Sequence, residues 1–173
     1  MSDQTLLLVL RLLHIVCGVF WAGSVIYMAL FIIPAVKASG PEGGKFMQQL
    51  GKTGYPIVVM IAAIVTILAG LMLMWKLSGG FQPIWFSTSN ARVLSTGSAM
   101  AIIAFIIGFT VNRPAAGRMN KIGKAVEQTG AAPTAEQMQE LMMLRSRLFK
   151  ATNYIAVLLT ITVIAMSIFR YVS

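Results

Sequence analysis

The chain has 173 residues, of which 57% are apolar and only 11% charged, and its mean hydropathy is +0.79. A soluble domain carries roughly 25% charged residues, so this composition excludes a disordered chain and fits lipid better than water. Lys and Arg outnumber Asp and Glu by 14 to 5, giving a formal charge of +9. Those cations sit between long apolar runs, which makes them a topology signal, and no nucleic-acid partner is expected.

A hydrocarbon core of about 30 Å takes roughly 20 helical residues. Leu6 to Val36 is apolar except for Arg11 and His14, and Pro34 is expected to end that first span. Ile57 to Trp75 forms the second span, opened by Pro56 and closed by Lys76-Leu77-Ser78-Gly79-Gly80. Val93 to Val111 forms the third, with its end expected at Asn112-Arg113-Pro114, and Ala151 to Tyr171 forms the fourth. Backbone groups in lipid must be satisfied within the segment, so the spans are expected to be helices. The expected fold is all-α: a single four-span integral membrane bundle with spans at about 6–34, 57–75, 93–111 and 151–171.

The segment 114–150 reads as a water-facing helical hairpin. Pro114 to Gln128 is a short basic helix, Thr129 to Pro133 a turn, and Thr134-Ala135-Glu136-Gln137 a capping box. No breaker follows until Tyr171, which predicts one helix of about 37 residues, roughly 55 Å long. The loop 37–55 holds Pro41-Glu42-Gly43-Gly44 and a short helix at Lys45 to Gly51. The loops after spans one and three carry ten Lys and Arg, and the opposite side carries four: Arg11, Lys76, Arg92 and Arg170. The positive-inside rule makes the ten-charge side cytoplasmic. Both termini are then outside, and the fourth helix extends into the cytoplasm.

Span one holds the chain's only histidine, His14, and only cysteine, Cys17. A lone cysteine excludes an internal disulfide and any multi-cysteine metal site, and it reads as a small buried hydrophobe. Arg11, His14, Gly18, Trp21, Val25 and Met28 fall on one stripe at spacings of three and four. An intramembrane histidine is costly and faces a bundle interior or a cavity. Gly18, one turn deeper, lets either a flat macrocycle or a neighbouring helix approach, and Trp21 would wall such a site. Haem needs few protein ligands; histidine alone or with methionine suffices. Met72, Met74, Met100 and Met166 fall on the outer half, and Arg11, Lys76, Arg92 and Arg170 at that level would suit anionic propionates. The plainer alternative has His14 bonding water or a neighbouring carbonyl, and the methionines packing.

Leu13-His14, then six residues, then Trp21-Ala22-Gly23 resembles the first-helix signature of a group of bacterial membrane proteins. That group includes the copper-resistance protein D family, the membrane-bound urate oxidase and the four-helix bacterial protoporphyrinogen oxidase. Gly18 and Tyr27 look most like the urate oxidase version. The segments Gly40-Pro41-Glu42-Gly43-Gly44-Lys45 and Asn112-Arg113-Pro114-Ala115-Ala116 look like small integral membrane proteins related to the group. The specific match covers about fifteen residues. The resemblance implies a haem b protein of the bacterial inner membrane with redox chemistry, a membrane oxidoreductase in some members, with His14 as axial ligand. The protoporphyrinogen oxidase type pairs its histidine with a lysine at the start of the third helix. Here Arg92 stands nearest, and arginine stays protonated.

The expected function is therefore a haem-b-binding membrane protein with a redox or electron-transfer role near the outer face. His14 serves as metal ligand, and Arg11, Gly18, Trp21, Arg92, Met166 and Arg170 are the other cofactor-binding candidates. The alternative is a non-catalytic accessory subunit of a larger membrane complex. A transporter would need a polar lining, for which the spans offer only scattered residues such as Thr66, Ser98, Thr110 and Thr162. The expected partners are the bilayer and either a second copy of the chain, which could complete bis-histidine ligation, or a larger complex.

Overall fold

A computed structural model describes residues 2–172, and among them the structure is helical with no strand. Four helices are long and apolar enough to cross a membrane: α1 (Asp3–Ala38), α3 (Tyr55–Leu77), α5 (Ser89–Thr129) and α6 (Ala135–Tyr171). They mark a multi-pass membrane protein. Two shorter helices, α2 (Gly40–Lys52) and α4 (Pro83–Phe86), lie in the connections.

The helix starts follow from local chemistry. The Ser2 hydroxyl caps α1 by accepting from the Thr5 amide, and Thr88 does the same for α5 through Ala91. Thr134 and Gln137 form the reciprocal capping box that opens α6, and α6 runs 37 residues. Gly54 and Gly130 take the left-handed conformation (φ 57° and 61°) at the turns before α3 and after α5.

Helices α1 and α5 continue past the residues expected to end them. Each passes through its proline by way of one wide π-helical turn, Met28–Ile32 before Pro34 and Gly108–Asn112 before Pro114. In these turns the Ile33 and Arg113 amides donate to Met28 and Gly108, five residues back. The wider turn relieves the clash between each proline ring and the carbonyl four residues before it, so the helix continues past the proline. The basic segment Arg113–Thr129 is therefore the continuation of the third long helix.

Helices α1 and α3 run antiparallel along their length. Asp3 meets Lys76 at one end (3.1 Å), His14 meets Thr66 in the middle, and the Tyr55 hydroxyl donates to the Ser24 carbonyl at the other end (3.4 Å). Helices α5 and α6 form a second antiparallel pair through Gly97 and Thr162, Asn112 and Thr152, and Arg118 and Glu140. The two pairs meet chiefly between α1 and α6, with a lesser contact between α3 and α5. The core at that junction combines Trp21 and Leu159 with Ala22, Ala62, Ala63, Ala104 and Ala156. Small residues let helix backbones approach closely where lipid offers no hydrophobic drive between helices. A second cluster of Met28, Ile33, Val36 and Phe149 lies at the other end, with Met47 and Leu50 of α2 packed on it.

Candidate functional site

The histidine sits on the α1–α3 seam. His14 Nδ1 lies 2.8 Å from the Thr66 carbonyl oxygen. A carbonyl only accepts, so Nδ1 carries the proton and donates. In the neutral ring this leaves the Nε2 lone pair unshared, and among the described residues Nε2 makes no hydrogen bond. The imidazole is half-buried.

Two glycines let the ring lie there. A β-carbon on Gly70 would fall 2.7 Å from His14 Cε1 and 2.9 Å from Nδ1, so only glycine leaves room for the ring. A β-carbon on Gly18 would fall 3.3 Å from Thr66 Cγ2. Thr66 and Gly70 are one turn apart on α3, as His14 and Gly18 are on α1. The helices are antiparallel, so each large group rests over the other helix's glycine: His14 over Gly70, Thr66 over Gly18. Thr66 also returns its own hydroxyl to the Ala62 carbonyl (2.7 Å), so that hydroxyl is paired within α3.

Gly18 thus receives a neighbouring helix, and His14 bonds a neighbouring carbonyl. Thr66 and Gly70 are the partners that sequence reasoning missed. A Thr-x3-Gly on one span facing His-x3-Gly on an antiparallel one is the pattern that could have found them.

The other expected site residues divide among different places. Arg11 lies one turn from His14 and is exposed. Trp21 is 4% exposed and belongs to the core. Met166 packs beside Gly97 on the α5–α6 seam. Arg92 donates from Nη2 to the Ser87 carbonyl (2.9 Å), and Arg170 stacks over Phe169. Arg92 also ends an apolar groove of about 440 Å³ whose other walls, Val93, Ile161, Ile164 and Ile168 among them, come from α5 and α6 alone. The structure therefore puts His14 and Gly18 on the α1–α3 seam, with Arg11 exposed one turn away, and Arg92 and Met166 on the α5–α6 seam. Lys76 is taken up by Asp3 (3.1 Å).

Most span hydroxyls turn inward on their own helices. Thr96, Ser98, Thr110, Thr160, Thr162 and Ser167 all donate to the carbonyl one turn back. Among the described residues there is no cluster of three or more His, Cys, Asp or Glu side chains able to hold a bare metal ion. Comparison with protein-family models, curated proteins and solved structures gives no match to this chain.

Proposed function

We propose that the chain is a haem-b-binding protein of the bacterial inner membrane, with His14 as axial ligand and a redox or electron-transfer role near the outer face. In this reading the four spans form one bundle with both termini outside and the basic end of α6 in the cytoplasm, as the charge asymmetry favours. The observation that carries the proposal is the Nδ1–H bond to the Thr66 carbonyl, with Nε2 left unpaired. Ligating histidines characteristically donate their other N–H to a carbonyl or carboxylate, which fixes the tautomer and turns the lone pair toward the metal. The donor set thus fits one imidazole ligand.

Haem would supply one-electron chemistry at that position. The chain's part is to hold the imidazole by Thr66 and Gly70, and to offer Arg11 one turn away as a cation for a propionate. His14 is the only imidazole in the chain. A second imidazole ligand would therefore come from another copy, as a homodimer provides. Arg92, Met166 and Arg170 lie on other helices and are assigned no ligand role in this reading.

The test is the absorbance spectrum of protein purified from cells supplied with haem precursor. A Soret band that follows the protein through size exclusion supports the proposal, and a colourless, folded protein refutes it.

A further inference from the structure

At the end of the molecule opposite Arg11, three cations converge without an anion. Lys37, Arg145 and Lys150 line a cavity of about 270 Å³ together with Ser146, Phe149 and Asn153. The Lys37 ammonium stands 5.8 Å from the centre of the buried Phe149 ring. Arg145 reaches back across the cavity to α2, where its guanidinium takes the space that a β-carbon on Gly44 would fill. Its Nε is buried and has no hydrogen-bond partner.

The acidic residues are committed elsewhere. Of the five in the chain, Asp3 pairs with Lys76, Glu42 with Lys45, Glu127 with Lys52 and Glu140 with Arg118. The fifth, Glu136, lies in the first turn of α6, nine residues or about 13 Å before Arg145. No acidic side chain lines the cavity. Arg145 is half-buried, and its buried, unpartnered Nε among like charges is better satisfied when an anion approaches the guanidinium.

We propose that this cavity binds the phosphate of an anionic lipid headgroup. The guanidinium offers a planar fork for phosphate oxygens, the two lysines act as point charges, and Ser146 and Asn153 add hydroxyl and amide donors. The position argues for lipid over a free ion. Lys37 directly follows the apolar run Leu6 to Val36, and Lys150 directly precedes Ala151 to Tyr171. The cavity therefore lies where the apolar surface gives way to polar surface, at the depth of headgroup phosphates. Basic pockets between membrane helices recognise lipid headgroups by this combination. The inference does not depend on His14.

The experiment uses the full chain, delipidated in mild detergent. Binding of phosphatidylglycerol and phosphatidylcholine is measured by native mass spectrometry, and inorganic phosphate is added in a parallel thermal-unfolding series. K37Q/K150Q leaves the Arg145 contact with Gly44 untouched, and its unfolding temperature is measured beside that of the native chain to show that it folds. K121Q/K124Q removes the same charge from the exposed face of α5. Phosphatidylglycerol should bind at least about tenfold more tightly than phosphatidylcholine. K37Q/K150Q should lose that preference, and K121Q/K124Q should keep it. Equal binding of the two lipids, or equal loss in both variants, overturns the proposal. Inorganic phosphate raising the unfolding temperature as much as phosphatidylglycerol overturns the assignment to lipid.

Discussion

Replacing Gly70 by alanine tests whether the His14 ring is held in a space that only glycine leaves. The new methyl would lie 2.7 Å from Cε1 and 2.9 Å from Nδ1. Ordinary non-bonded contact is about 3.5–4 Å, so the ring must withdraw by roughly 1 Å. The Nδ1 to Thr66 oxygen distance of 2.8 Å then stretches beyond hydrogen-bonding range. Overpacking costs about 1–3 kcal/mol, and the lost bond about another 0.5–1.5 kcal/mol. Against this, alanine gains about 0.5–1 kcal/mol over glycine within a helix. The net is a destabilisation of about 0.5–4 kcal/mol. In a His14→Ala background the ring is gone and only the gain remains, so Gly70→Ala becomes neutral or stabilising by up to about 1 kcal/mol. Reversible unfolding of the four proteins in mixed micelles gives the coupling energy directly. If Gly70→Ala costs as much without the histidine as with it, the ring does not rest on Gly70 and the reasoning is refuted.

Further outcomes follow from the other close contacts. Gly97→Leu should separate α5 from α6, because even a β-carbon there falls 2.8 Å from that of Ala165; thermal unfolding should show a loss of at least about 2 kcal/mol. Gly43→Ala should loosen α2, since its β-carbon would overlap the Val36 carbonyl, and backbone cannot yield as a side chain does; faster proteolysis between residues 38 and 54 would report it. The Arg118 guanidinium, through its hydrogen bond and its charge, holds the Glu140 carboxyl below its ordinary value of 4.5. That contact contributes in full above the ordinary value and is lost as pH falls through the lowered one. A carbon-13 titration of Glu140 should show the depression, and Arg118→Gln should abolish it. Arg118 is exposed and Glu140 partly so, and solvent screens the pair, so global stability should change little.

The long helices were legible because lipid imposes a simple requirement: apolar runs of sufficient length, opened by identifiable caps such as Thr134 with Gln137. Pro34 and Pro114 misled because the proline rule counts the missing amide and the ring clash. It does not count the extra residue that a π turn can insert to relieve both. At the site, helical spacing correctly put His14 and Gly18 on one face, since that depends on α1 alone. Thr66 and Gly70 depend on how α3 is registered against α1, which one sequence does not state. Arg92, Met166 and Arg170 were grouped with His14 by their level across the membrane. Level fixes height along a helix but not the direction around it, and the helices turn these residues toward other seams or outward.

The proposal that Nε2 of His14 ligates haem is tested most directly by haem content per chain. Native protein, His14→Ala and Arg92→Ala would be compared by pyridine haemochrome assay, with circular dichroism to confirm equal helicity. The proposed assignment predicts haem b in the native protein and in Arg92→Ala, and its loss in His14→Ala with helicity intact. Full haem content in a folded His14→Ala protein would contradict it.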